Sequence, residues 1–452
     1  MLFRSPIATK LESARHYLGG ARWDLLPTFS WWFPSDAALH TQCALGVLVS
    51  VCLFAGVWPR ACLLVLWTLY LSLVVAGQDF LSFQWDVLLL QSALFSLGFA
   101  PGGLWPGLAA DDPPTWLGLL LVRWLLFCLM FSSGVVKLTS GDASWGDGSA
   151  LSFHYWTQPL PGPLAWYAEQ LPGWAQWLSC KLMFAIEIVL PFGVFGPHLA
   201  RRIAATGIAL LMLLIALTGN YGFFNLLTLV LCIALLDDGL LARVLPSRLV
   251  ERAQAAPVER KRPRMARLAG LAGTLVALAA LLQGSLQMLD NFGWLELPAP
   301  AAKLGGVLGP FRSLNSYGLF RVMTTFRREI EIQGSDDGRE WRSYVLSWKP
   351  DDPARCPAWQ QPHMPRLDWQ MWFAALGPAR AQRWFEPLLG RLLEGEPSVL
   401  ALFRENPFPD RPPKLVRAVF WDYRFATPAE RAASGVWWSR KELGLYSAPR
   451  SR

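Results

Sequence analysis

Charge is what this chain has least of. Only 16% of its 452 residues are Asp, Glu, Lys or Arg, where soluble domains carry roughly a quarter. With 53% hydrophobic residues beside so little charge, an ordinary water-soluble surface cannot be built, and a polytopic membrane protein is expected. The net charge of +8 does not imply nucleic acid. Its densest basic cluster, "ERKRPRMAR", stands directly before an apolar run, as basic residues of cytoplasmic loops do. Paired cysteines are missing as well. Cys43, Cys52, Cys62, Cys128, Cys180, Cys232 and Cys356 include no CxxC, and all but the last lie in or beside apolar runs. Small buried hydrophobes are therefore expected, and a disulfide framework or a thiol-exchange foldase is disfavoured. Histidine is scarce. His16, His40, His198 and His363 form no ligand spacing, so no metal site and no cofactor are expected. There is no P-loop, GxGxxG or GxSxG, and the "GDGSA" around Ser149 follows no strand. The first thirty-odd residues lack the apolar core of a signal peptide, so insertion is expected to rely on the first spanning helix.

What the chain does have is apolar runs and tryptophan. The 24 tryptophans suit the two interfaces of a bilayer. Runs long enough to span occur at about eight places: 38–57, 60–77, 83–100, 115–136, 175–196, 201–219, 221–236 and 266–288. A span needs roughly 17–25 residues, so the seventh is marginal. The loop 237–265 carries Arg243, Arg248, Arg252, Arg260, Lys261, Arg262 and Arg264, and is expected in the cytoplasm. Alternation then places Arg60, Arg201 and Arg202 on that side. The loop 137–174, the "TGNYG" turn and everything after Met288 fall on the exoplasmic side. So does the N-terminus, although it carries Arg4, Lys10, Arg15 and Arg22. Either the charge rule is weakly violated, or 15–33 dips into the membrane, or an earlier helix is missing.

Two domains are expected, a multi-pass membrane domain over 1–290 and a soluble β-rich, sandwich-like domain over 291–452. "EIEIQGSDDGREWRSYVLSW" alternates on both sides of a Gly/Asp turn and predicts a hairpin. "KLVRAVFWDYRF" predicts another strand. Between them, "EPLLGRLLEG" and "EPSVLALFREN" predict a helical insertion, each with Pro at a first helical position.

Ionisable residues within spans suggest function by default. Asp86 and Lys181 fall near predicted helix ends, where snorkelling suffices. Arg123 and Glu187 fall nearer mid-span, where an interhelical ion pair is the bland alternative. At about 100° per residue, Arg123, Gly134 and Lys137 share one helical face. Gly134 would admit a close neighbour, helix or ligand, and Lys137 would sit at the outer rim, either snorkelling or as a partly desolvated amine able to act as base. In the following loop, Asp142 and Asp147 precede His154 and Tyr155, a pattern that could serve acid–base chemistry. Lys137, His154 and Tyr155 are thus the catalytic candidates.

Across nearly the whole chain the sequence resembles the lipase maturation factor family and its bacterial relatives. "GQDFLSFQWDVLLL", "FSSGVVKLTSGDASW", "HYWTQPLP" with "LAWYAEQLP", "LTGNYGFFNLLTLVLCIALLDD", "SYGLFRVMTT", "EIQGSDDGREW", "PRLDWQMWFAALG" and "NPFPDRPPKLVRA" occur in that family's order. Two departures stand out. Members usually begin with a further apolar helix, and where they read His-Tyr-Glu-Thr-Gln this chain has Trp156. The resemblance implies a multi-pass membrane protein that helps exported proteins, secreted lipases in the family, to fold and assemble. In eukaryotic relatives it lies in the endoplasmic reticulum. For a bacterial-type member it implies the cytoplasmic membrane, with the tail outside. The bilayer and an exported client are the expected partners, without nucleic acid. Within those blocks the pocket or client-surface candidates are Asp86, Arg123, Gly134, Asp142, Trp145, Gln158, Glu187, Asn220, Tyr221, Asp368 and Trp369. A shorter stretch, "SGVVKLTSGDASWGDGSAL", is similar to the Gly-x-x-Lys…Trp-x-x-Gly block in the membrane domain of vitamin K-dependent gamma-glutamyl carboxylase. There the matching lysine is the catalytic base. That makes a membrane enzyme using Lys137 the alternative to a non-enzymatic maturation factor.

Overall fold

The computed structural model describes residues 7–106, 115–254 and 264–452. Arg4, Arg260, Lys261 and Arg262 lie outside them.

A short amphipathic helix, α1 (Ile7–Leu18), precedes the spans. Then come α2 (Asp36–Phe54), α3 (Pro59–Gly77), α4 (Gln84–Ser96) and α5 (Trp116–Thr139). The loop that follows carries α6 (Ala150–Thr157). The bundle continues with α7 (Gly173–Phe184), α8 (His198–Thr218), α9 (Phe224–Cys232) and α10 (Arg264–Asn291). Side-chain oxygens of Ser35 and Thr115 accept the orphan amides of Ala38 and Gly118 and so fix the starts of α2 and α5.

Six helices among the described residues are long and apolar enough to cross a membrane. A seventh is counted if Phe224–Leu235 and Asp238–Val244, bent by 119°, form one span. The expected run at 83–100 yields only the 13 residues of α4. Asp86 accepts the backbone N–H of Phe83 and caps that helix early. At its other end the backbone at Gly98 meets Gly118 so closely that a Cβ on Gly118 would lie 2.5 Å from the Gly98 carbonyl. The chain belongs to the multi-pass class, with α5 at its centre: 78% of its apolar window is buried, against 11% for α2.

The tail is one antiparallel sheet of five strands, order β3-β2-β1-β4-β5. The strands are β1 (Arg327–Ser335), β2 (Arg342–Leu346), β3 (Phe403–Glu405), β4 (Leu415–Phe425) and β5 (Trp438–Arg450). β1 pairs β2 as the predicted hairpin, Ile332 opposite Tyr344. The expected sandwich gives way to this single sheet. Helices α11 (Arg366–Ala375) and α12 (Phe385–Glu394) close one side, packing Leu367, Met371, Leu388 and Leu392 on Ile330, Ile332 and Tyr344. Pro397 does open a helical turn, but Pro387 is the third residue of α12.

One end of the bundle receives the tail. Asp86, the 137–172 loop and the 219–222 turn all bond to residues beyond 300. The opposite end gathers Arg60, Arg123, Arg201 and Arg202 on backbone or acidic acceptors.

Candidate functional site

Nearly all the residues singled out in the sequence meet where the tail sits on the bundle. Lys137, in the last turn of α5, donates to both carboxylate oxygens of Glu187, at 2.7 and 2.6 Å. Both side chains are buried. Glu187 lies in a π-turn, Ala185–Val189, that interrupts the helix continuing from α7. The wider turn accommodates one extra residue and re-aims the carboxylate. Gly134 makes the pairing possible, since a Cβ there would lie 2.6 Å from Ile188 and 3.0 Å from the Cβ of Glu187.

Above the pair stands an aromatic and polar roof. The Lys137 ammonium lies 5.4 Å from the Trp145 ring centre, and the Trp145 indole donates to Phe320 O at 3.0 Å. His154 meets the Phe320 ring edge-on at 4.8 Å. Tyr221 donates its hydroxyl to Gln158 Oε1 at 2.9 Å. The 3.4 Å contact of that hydroxyl with His154 therefore needs Nε2 as the donor. His154 Nδ1 then has no partner among the described residues. Burial, with the Lys137 charge second, pushes His154 down to about 4, so the imidazole is neutral near pH 7.

Other candidates act as ties between bundle and tail. Asp86, expected to snorkel, is instead fully buried and bound by both arms of Arg366, each at 2.7 Å, and by the Tyr70 hydroxyl at 2.6 Å. Asp142 accepts from Ser144 and from Met323 N at 2.6 Å. Although burial opposes it, these bonds hold its carboxyl below the usual range. Asn220 donates to Gln360 at 2.6 Å, and its own amide bonds Leu160 O. Trp369 meets Trp85 edge-on at 4.9 Å and Tyr221 at 5.7 Å. Asp368 acts within the tail instead, accepting the amides of Trp348 and Lys349 at 2.8 and 2.9 Å, and burial raises its carboxyl despite these bonds.

Two candidates stand apart from Lys137. Arg123, the eighth of the 24 residues of α5, does not join it. It lies toward the opposite end of α5, where it donates to Ala234 O at 3.0 Å. That carbonyl closes a short helix end that lacks its own donor. Tyr155 is not part of the Lys137 group either. It packs with Tyr423, Phe425 and Trp438 under the sheet.

Arg327 did not stand out in the sequence. It is fully buried, donates to Trp156 O and Pro159 O at 2.9 Å each, and pairs with Glu329 at 2.6 Å. Lys349 joins Glu329 at 3.0 Å and also Asp351. This ion network fills the sheet face turned toward the loop. Burial pushes Asp351 up to about 6. The available signal was Arg and Glu at alternate positions of one strand, followed by Lys and Asp two apart.

The model of the lipase maturation factor transmembrane domain matches residues 5–243, and that of the lipase maturation factor C-terminal domain matches 313–448. Similar relatives include lipase maturation factor 1 of Bos taurus, 33% identical over 99% of this chain and 83% of its own length. Lipase maturation factor 2 of Homo sapiens is 36% identical, covering 94% of this chain and 75% of its own length. No solved structure matches.

Proposed function

The chain belongs to the lipase maturation factor family, and from that premise we propose that it is a membrane-anchored maturation factor for exported proteins, by family a secreted lipase. The tail and the 137–174 loop lie on the exoplasmic side in this reading. The arginines gathered at the opposite end, Arg60, Arg201 and Arg202 among them, support that orientation.

The observation that carries the proposal is how the candidate residues are used. Lys137 and Glu187 are tied to each other inside the bundle, and Asp86, Asn220 and Arg327 are engaged in buried bonds that join the bundle and its loop to the tail. A rigid platform results, and it leaves the β5 edge of the sheet for a client. β5 is a 13-residue edge strand with Leu443 and Leu445 exposed. The carboxylase-like alternative fits less well. The Lys137 nitrogen is turned onto both oxygens of Glu187 and buried with it, so it does not face an open site where a substrate proton could be taken.

The test is maturation of exported hydrolases in cells carrying the full chain or a chain cut after residue 311. Loss of secreted lipase activity, with lipase recovered in pull-downs of the full chain from intact membranes, is expected. If every secreted hydrolase stays fully active and assembled without the tail, the proposal fails.

A further inference from the structure

The N-terminal segment takes no part in the Lys137 site. After α1 the chain forms a hook at 28–34 wedged into the top of the α2–α3 pair. Phe29 N donates to Ser72 Oγ at 2.9 Å, and Ser72 Oγ donates to Gln42 at 2.8 Å. Gln42 is about six residues into α2, so the hook reaches roughly 9 Å below the start of that helix. The polar layer of a bilayer is roughly 5–8 Å deep on each side. The hook thus stands at the boundary between headgroups and acyl chains.

Between α1 and the hook lies a cavity of about 210 Å³. Leu11, Trp31 and Pro34 form its apolar wall, and Glu12, Arg15 and Ser30 its polar one. Ser30 is 0% exposed, and its hydroxyl has no partner among the described residues. A buried hydroxyl without an acceptor is costly, and an oxygen entering the cavity would satisfy it. The surroundings have the character of a membrane interface. Tyr17, Trp32 and Phe33 are exposed, Trp23 stacks on Trp32 at 5.0 Å, and the Arg22 guanidinium lies 4.8 Å from the Trp23 ring. Exposed rings beside basic side chains anchor protein at headgroup level.

We infer that this cavity binds the headgroup of an anionic phospholipid. The Ser30 hydroxyl donates to a phosphate oxygen, and Arg15 at the mouth neutralises the phosphate charge. Glu12 accepts from a hydroxyl or ammonium of the headgroup. The acyl chains lie along α2, the span with the smallest buried share. The same lipid explains why a basic N-terminal segment sits at the end of the bundle that receives the tail. Its charge is matched by phosphate.

The experiment uses the full chain in phosphatidylcholine vesicles containing a trace of phosphatidylglycerol with a photoactivatable headgroup, followed by peptide mapping. Adducts are expected to concentrate on residues 8–34 and to be competed by unlabelled phosphatidylglycerol, not by phosphatidylcholine. Arg15→Gln with Ser30→Val should lower them by about fivefold or more, since one basic residue near an anionic surface is worth about that much. Should Ser30→Val fail to fold, Arg15→Gln alone decides, because that side chain is exposed and leaves the core intact. Labelling spread evenly over all boundary segments, or unchanged by Arg15→Gln, overturns the inference.

Discussion

At the scale of single residues, Lys137 and Glu187 raise one question: does the pair act, or only hold? Removing one member of a buried pair leaves a charge without compensation, at roughly 3–5 kcal/mol, whereas replacing both with apolar groups is often neutral. Lys137→Met should therefore destabilise the protein strongly, and adding Glu187→Leu should restore most of the loss. Thermal unfolding in detergent gives the cycle, and lipase maturation gives the second readout. A stable double variant that still matures its client identifies a structural pair. A stable but inactive one sinks that view and revives the base. His154 supplies a pH-dependent counterpart. Its folded value near 4 lies below the ordinary 6.5, so the unfolded chain takes up a proton that the folded chain refuses. That contribution is fully present above pH 6.5 and is lost as pH falls toward 4, up to about 3 kcal/mol. Asp351, raised to about 6, works the other way and adds stability over the same descent. His154→Asn should flatten the loss of melting temperature between pH 6.5 and 4. An unaltered pH profile would show that the imidazole is not held neutral by burial.

At the scale of elements, the close approach of α5 to the π-turn depends on Gly134. A side chain there would press on Ile188 and Glu187, and overpacking of this kind costs roughly 1–3 kcal/mol. Gly134→Leu should lower thermal stability by that amount. An equal substitution at Gly270, where nothing lies within 4 Å of a Cβ, should not. Equal effects at the two positions would mean that the contact is unimportant. The π-turn also marks where the sequence stopped being readable. Lys137 was conspicuous as a charge ending an apolar run, but a period of 3.6 cannot place Glu187 across a turn of different pitch. β1 and β4 were legible from alternation. β5 was not, because its "WSRKELGLYSAPR" is largely exposed and interrupted by Gly444 and Pro449. Arg327 escaped for the opposite reason. Alternation assigns the polar side of β1 to water, yet Arg327 and Glu329 are buried against the loop. Only the docking of two domains gives that face a partner, and no local pattern encodes it. Asp86 was misjudged likewise, since its partner Arg366 is 280 residues away.

At the scale of the molecule, the docked tail is the premise of the proposed function, and Arg366 tests it. The guanidinium reaches from α11 to a carboxylate at the start of α4, donating to both of its oxygens and to Phe80 O as well. Asp86 has no exposure to water, so without Arg366 its charge keeps only the Tyr70 hydroxyl and one backbone amide. The cheapest relief is for the tail to lift and let water reach the carboxylate. Arg366→Gln should therefore loosen the tail rather than unfold it, because the sheet and α12 keep their own core. The expected result is faster protease cleavage between residues 291 and 326, with the β-rich fragment itself resistant. A cost of roughly 3–5 kcal/mol would raise cleavage through the open state by about two to four orders of magnitude. Arg411→Gln is the control. Its pair with Asp336 is exposed, and surface pairs are worth about 0–1 kcal/mol. Adding Asp86→Asn to Arg366→Gln removes the stranded charge and should return much of the protection. If Arg366→Gln cleaves no faster than Arg411→Gln, the tail is held by its apolar contacts, and the ion pair sets only its orientation.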